Sequence, residues 1–313
     1  MLAQSLHIQF HCPMASFDFQ TVDVFTDRRF GGNPLAVFPH AEGLDDAVMQ
    51  NIAREFNLSE TTFVFPPADP AHTARVRIFT PRAEVPFAGH PNVGTAYILA
   101  RLNPGLPGTL VFEETAGLVA VELHHGQDGT IGGAKVAAPQ PLAVGEEVPV
   151  EAVAACAGLA PGDILRGIHA PVFAGVGMGF VIAQLTGRAA LAKANPILGA
   201  FQEAARRFPR IGARFQLHIY VRDAVEPRRL ATRMFAPLLG VPEDPATGSA
   251  NATLAALLTH LGEKPEQAFD IEQGAEMGRP SFLRAGARKS ADGAVRATIA
   301  GDCAPVFKGQ IEL

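Results

Sequence analysis

Arg77-Ile78-Phe79-Thr80-Pro81, then Val85-Pro86, then His90-Pro91-Asn92-Val93-Gly94-Thr95-Ala96 is a pattern that this chain carries twice. The second copy reads Arg233-Met234-Phe235-Ala236-Pro237, then Val241-Pro242, then Asp244-Pro245-Ala246-Thr247-Gly248-Ser249-Ala250. The copies are 156 residues apart at the arginines and 154 apart at His90 and Asp244, so the second reads as two residues shorter. Such self-similarity predicts two related halves packed face to face about a pseudo-two-fold axis. It puts a proton-moving side chain at the same place in each copy, His90 in one and Asp244 in the other. A cleft between the halves would then hold a small molecule between two helix starts.

Each copy leads into an unusual helix. Pro91 to Ala100 and Pro245 to Leu258 contain no Asp, Glu, Lys or Arg, and a helix without a charged face is surrounded by protein. Proline suits the first helical position, where no hydrogen bond is lost. Alternating or β-branched stretches flank the first helix: Phe17 to Phe25, Leu35 to Phe38, Thr61 to Phe65, Arg75 to Phe79 and Thr109 to Leu123. Asp45 and Asp46 open a surface helix with Val48, Ile52 and Phe56 on one face, ending near Asn57. The second half reads similarly, with Val172 to Leu185 strand-like, Pro196 to Arg207 helical and Phe215 to Val221 a strand. Pro139 to Pro149 reads as a linker or turn region. Each half thus wraps β-structure around one central helix.

The 313 residues suffice for two domains with separate cores. A net charge of −5, with no run of four Lys or Arg, excludes a broad surface for nucleic acid or anionic membrane. His124-His125 reads as a solvated turn, and Arg206-Arg207 and Arg228-Arg229 as isolated surface pairs. Three cysteines, odd in number and scattered, make neither a disulfide framework nor a Cys-rich zinc site. Buried thiols in a reducing cytosol are the expectation, hence a cytoplasmic protein. No segment has 18 uncharged apolar residues, so no membrane span is expected. Met1 to Ser16 reads as a loose extension, not a signal peptide, with Met14 an alternative start. Gly175, Gly177 and Gly179 miss the dinucleotide spacing, and no phosphate loop, His-Glu-x-x-His or serine elbow occurs. Neither a cofactor nor a metal is expected.

Five ordered motifs carry a family resemblance: Asp23-Val24-Phe25-Thr26 with Gly32-Asn33-Pro34; Asn57-Leu58-Ser59-Glu60-Thr61; Pro86-Phe87-Ala88-Gly89-His90-Pro91; Glu243 to Ala250; and Gln273-Gly274 with Gly278-Arg279-Pro280-Ser281. Together they resemble the phenazine-biosynthesis isomerase (PhzF-like) family over nearly all the chain from about Phe17. The resemblance implies an α+β fold like that of diaminopimelate epimerase, with two pseudo-symmetric halves, each a β-barrel around a central buried helix. On that basis the domains would span 16–130 and 131–299, with the final strand near 300–313 crossing back. The epimerase relatives use a cysteine at each helix start. Here those places hold His90 and Asp244, which disfavours a two-thiol racemase. The resemblance also implies that Glu60 is the main proton-transfer residue, with His90, Asp244, Ser249 and Ser59 assisting or binding substrate, and that the protein is a homodimer.

Each candidate has a plainer reading. Glu60, between a helix end and an apolar strand, reads from the residues alone as an exposed strand entrance; as a catalytic group its pKa would be raised. Histidine is a poor N-cap, so capping does not explain His90, though a buried structural histidine would. Asp244 before a proline is explained by capping alone, and that role is compatible with catalysis. Gly94-Thr95 and Gly248-Ser249 are read as first-turn positions where glycine permits either close ligand approach or tight helix–barrel packing. Backbone donors there, together with Gly89, would bind a carboxylate, and Asn33 either contacts substrate or forms its turn.

These residues support a cofactor-independent isomerase or epimerase that shifts a proton on a small carboxylate-bearing metabolite. Its rivals are a lyase or dehydratase using the same proton abstraction and a non-catalytic small-molecule-binding member of the family.

Overall fold

A computed structural model describes residues 15–126 and 129–313; nearly all of the expected N-terminal extension lies outside the described residues. The first half runs β1 (Ser16–Val24), β2 (Asn33–Phe38), α1 (Asp46–Phe56), β3 (Glu60–Phe65), β4 (Ala74–Phe79), β5 (Glu84–Val85), α2 (Gly89–Leu102), β6 (Thr109–Glu114), β7 (Gly117–His125) and β8 (Ile131–Ala137). The second runs β9 (Ala143–Glu147), α3 (Val150–Ala157), β10 (Val172–Gly175), β11 (Gly179–Gln184), α4 (Arg188–Lys193), α5 (Leu198–Arg207), β12 (Leu217–Arg222), β13 (Arg229–Ala236), β14 (Val241–Asp244), α6 (Gly248–Leu261), β15 (Glu266–Gln273), β16 (Ser281–Lys289) and β17 (Val295–Glu312).

The same pairing plan appears in both halves. β2 and β3 are parallel, as are β4 and β6; their counterparts β11 with β12 and β13 with β15 are parallel too. A parallel pair needs a crossover, which α1 supplies outside the barrel and α2 through its centre. β1, β2, β3, β4, β6, β7, β8 and β17 close the first ring, since β17 pairs with both β8 and β1. In the second ring β9 to β13, β15, β16 and β17 follow one another, and residues 138–142 complete it by bonding β17, with Ala138 N donating to Ala297 O at 2.9 Å and Leu142 N to Val295 O at 2.8 Å. The fold is thus α+β and diaminopimelate epimerase-like, two barrels each around a helix.

The final strands of the two halves change places. β8 and β17 run antiparallel from Ala137↔Thr298 to Gly133↔Asp302. Beyond that crossing the first chain segment joins β10 as β9, and β17 joins β1 from Cys303 to Glu312. The region expected as a linker is therefore a paired strand. Its exposed, charge-bearing sequence, flanked by prolines, hid the pairing.

α2 is buried from Gly89 to Ala100 and α6 over nearly all its length. Their apolar sequences follow from that surround: fully buried Ile98 and Leu254 each contribute about 2 kcal/mol by leaving water. Outside the first barrel, α1 packs on a cluster of Phe17, Phe19, Phe38, Phe56, Phe63, Phe65 and Phe79. Asp45 caps α1 by accepting from Val48 N at 2.8 Å, and Asn57 ends it in the left-handed region. α3, α4 and α5 cover the second barrel in the same way.

The repeat is real, but its register differs from the sequence reading. Arg77 and Arg233 match at a spacing of 156: each guanidinium lies over the phenylalanine two residues on and pairs with a glutamate, Glu84 or Glu243. Asn92 and Asn251 match at 159, each side chain donating to the carbonyl at its helix N-cap, Ala88 O at 3.0 Å and Thr247 O at 3.1 Å. The second copy therefore gains three residues in its turn instead of losing two. The prolines misled. Pro91 is the third residue of α2, whereas Pro245 precedes the N-cap of α6 by two.

Candidate active site

Residue alternation aims Glu60 at the inside of the first barrel. Val64 of β3 packs with the α2 core while Phe63 and Phe65 face α1, so Thr62 and Glu60 share the inner side. His90, the second residue of α2, puts its Nε2 3.5 Å from Glu60 Oε2. Neither atom has a hydrogen-bond partner, and both are buried. Burial, reinforced by the charge of Asp244, pushes Glu60 up to about 8; burial pushes His90 down to about 3. Although the distance is that of an ion pair, both groups are neutral at pH 7: a carboxyl that keeps its proton beside an uncharged imidazole.

Asp244, at the end of β14, has the opposite surroundings. It accepts from Asn33 Nδ2 and Ser59 Oγ, each at 3.0 Å, and from Thr247 Oγ1. Burial raises its pKa, while these three hydrogen bonds oppose the rise by favouring the carboxylate. Asn33 also donates to Ala246 O at 2.9 Å. Asn33 and Ser59 come from the first half, Asp244 and Thr247 from the second, so the cluster spans both. Arg279 fixes the turn that delivers Asn33. Its Nε donates to Gly32 O at 2.9 Å and its Nη2 to Gly31 O at 2.7 Å and Asp23 Oδ1 at 2.6 Å. Gly32 has φ +60°, and a Cβ there would meet Val24 O at 2.3 Å, so only glycine fits.

The two central helices meet start to start. A Cβ on Gly89 would sit 3.7 Å from both Gly248 Cα and Ser249 N. First-turn N–H groups have no partner within their own helix, and two positive dipole ends facing each other favour an anion between them. Gly89, His90, Gly248 and Ser249 therefore flank one spot. Gly94 and Thr95 do not, which corrects the expectation for them. α2 begins at Gly89, so they lie in its second turn. A Cβ on Gly94 would come within 2.7 Å of Leu35 Cδ2 and Val24 Cγ2, and Thr95 Oγ1 hydrogen-bonds Thr62 Oγ1 at 2.8 Å. Their place is the barrel interior. The counterpart of His90 across the pseudo-axis is accordingly Ser249, not Asp244.

Sequence reasoning missed Thr247 and Gln273 as parts of this network. Gln273 donates to Asp244 O at 2.8 Å and accepts from Thr247 N at 3.2 Å. Threonine as an N-cap is the signal that could have marked Thr247; Gln273 lies in a quoted motif, which gave it no role. His124 was read as part of a solvated turn. It lies within β7 instead, with its Nε2 2.6 Å from Asp302 Oδ1, because β7 extends through His125 to pair with β8. Cys156 and Cys303 are buried in α3 and β17, away from this cluster, and burial raises both thiols, Cys156 to about 12. Among the described residues no group of three His, Cys, Asp or Glu is arranged to hold a metal, and no helix is long and apolar enough to cross a membrane.

The model of the family described as phenazine biosynthesis-like protein matches residues 22–309. A protein described as an uncharacterized isomerase from Mesorhizobium japonicum is 41% identical over 279 residues, 87% of this chain and 90% of that one. The trans-2,3-dihydro-3-hydroxyanthranilate isomerase of Pseudomonas chlororaphis is 35% identical over 296 residues, 93% of this chain and 98% of that one. A crystal structure of a phenazine biosynthesis protein from Bacillus anthracis superposes with a TM-score of 0.84 at 23% identity, covering 96% of this chain and all of that one.

Proposed function

This chain belongs to the phenazine biosynthesis-like protein family and is an isomerase, and on that premise we propose that it moves a proton on a small carboxylate-bearing metabolite, with Glu60 as the proton carrier. One observation carries the reading: a carboxyl with an unpaired, buried oxygen stands beside two abutting helix starts, in the company of a second, hydrogen-bonded carboxylate. An isomerase must both take and return a proton. A pKa of about 8 suits that, since about a tenth of molecules hold the base at pH 7 while the rest hold the acid. The two carboxyl groups differ in their hydrogen-bond donors, and that difference divides their roles. Burial raises both acids, but Asp244 is held by three donors that favour its charged form and makes the polar wall; Glu60, without such donors, exchanges its proton.

The substrate carboxylate would lie between Gly89-His90 and Gly248-Ser249, where backbone donors also stabilise charge that develops as a carbon loses its proton. Neutral His90 would relay or hold a proton opposite Glu60. The reaction needs no cofactor in this scheme, because abstraction and return are both done by side chains.

The test is incubation in D2O with trans-2,3-dihydro-3-hydroxyanthranilate, the compound for which the relative is named, and with a panel of small amino and hydroxy acids. Carbon-bound deuterium in a product of unchanged composition is the expected result, and Glu60→Gln should slow its uptake by roughly 10²–10⁴-fold. Loss of water from the product would make the protein a dehydratase. Binding without any exchange, or full exchange by the Gln variant, would overturn the reading.

A further inference from the structure

β12 repeats β3 at the spacing of 156 that relates Arg77 to Arg233. Phe63 pairs with Arg77 as Ile219 pairs with Arg233, which makes Gln216 the counterpart of Glu60. Alternation turns Gln216 inward. Phe215, Leu217, Ile219 and Val221 pack outside the second barrel, whereas Tyr220 belongs to the core around α6 and His218 Nε2 lies 3.1 Å from Asn251 Oδ1 of α6. Thr62 holds the place of His218 and likewise bonds its own central helix, at Thr95. One inward step from Thr62 leads to Glu60 and so to His90, the second residue of α2. The same step from His218 leads Gln216 to the level of Ser249, the second residue of α6.

The second copy keeps the position and changes the chemistry. Gln216 is 4% exposed. Its Nε2 donates to Gly179 O at 3.5 Å, and the reversed amide would set two oxygens against each other, so Oε1 is the free end. That oxygen has no hydrogen-bond partner among the described residues, and it is not sealed off as Glu60 Oε2 and His90 Nε2 are. An acceptor left open on so buried a side chain needs an explanation. An amide and a serine hydroxyl neither take nor release a proton near neutrality, so Gln216 and Ser249 do not make a second acid–base pair. The helix starts offer donors, which suit a carboxylate. Gln216 Oε1 offers an acceptor, which repels a carboxylate and suits an N–H or O–H group.

We infer that Gln216 is a specificity-determining residue, whose Oε1 accepts a hydrogen bond from an amino or hydroxyl group of the substrate while the substrate carboxylate lies between the helix starts. The inference rests on the carboxylate site proposed above and narrows its ligand to amino- or hydroxy-substituted acids. An acid without the donor would bury Oε1 unpaired, and a site built to hydrogen-bond a group rejects the analogue that lacks it. Glu60 and Gln216 thus divide proton transfer and recognition between the two barrels.

The test uses the full chain, labelled with ¹⁵N-glutamine and ¹⁵N-glycine, and probes that share one ring and one carboxylate: benzoate, which has no donor, and 2-aminobenzoate and 3-hydroxybenzoate, which each have one. Titrations are followed by NMR. The Gly89 and Gly248 backbone signals should move with every probe, and the Gln216 side-chain amide with at least one donor-bearing probe but not with benzoate. That probe should bind roughly 3–10-fold more tightly than benzoate. Gln216→Leu, apolar and close in size, should bring the ratio to about 1 and leave the affinity for benzoate unchanged. If the Leu variant does not fold, the amide shift and the preference in the unaltered chain still decide. The inference is overturned if the Gln216 amide stays still while Gly89 and Gly248 move, if neither donor-bearing probe is preferred, or if the preference survives Gln216→Leu. If Gly89 and Gly248 stay still as well, the carboxylate site falls with it. Glu60 is untouched and no turnover is measured, so proton transfer is judged separately, by deuterium uptake.

Discussion

Glu60 sits where burial disfavours the ionised form that an exposed glutamate takes. Its folded pKa is raised, so between about 4.5 and about 8 the folded state binds a proton that the unfolded chain does not. Stability is therefore fullest below the unfolded pKa, declines as pH rises through that window, and levels off above 8. Glu60→Gln removes the ionisable group. It should raise the unfolding temperature at pH 8.5, corresponding to on the order of a few kcal/mol, and leave it nearly unchanged at pH 4.5. Calorimetry at the two pH values checks this; equal effects at both would contradict the burial of a neutral acid. From the residues alone Glu60 looks like an exposed strand entrance, and only the motif around it marks it out. Thr247 and Gln273 lie inside quoted motifs, but their contacts were not legible, because these depend on strand pairing and on partners in β14 and α6.

At the level of helices and strands, alternation and apolar runs were enough to reveal most of the barrel strands and both central helices. Where glycine and proline were used as anchors the reading slipped, since either residue serves several local geometries. Gly94 and Gly89 separate two such uses. Gly94→Ala forces a methyl against Leu35 and Val24; it should destabilise by about 1–3 kcal/mol in denaturant titration while leaving deuterium uptake per folded molecule intact. Gly89→Ala places its methyl at ordinary contact distance from Ile299 and Gly248. It should leave stability within about 0.5 kcal/mol and suppress deuterium uptake, because it narrows the gap between the helix starts. The reverse pattern would mean that Gly94 lies at the ligand and Gly89 does not. α3 and α4 escaped notice because they are only eight and six residues long, too short for a periodic signal to stand out.

For the molecule as a whole, duplication gives two barrels, but exchange of β8 and β17 makes them interdependent. Ile311 of β17 packs in the aromatic cluster beside Phe17 and Phe19, so removing residues 306–313 both strips β1 of a neighbour and bares that cluster. Such a truncation should lose the single cooperative unfolding transition and bind a hydrophobic dye. Retention of one sharp transition would show that the first ring does not need its last strand. The exchange also sets an order of events during synthesis. β1 waits for β17, so a nascent chain carries an open seam until β17 has been made, and a gene split between the halves would yield two fragments that each lack a stave.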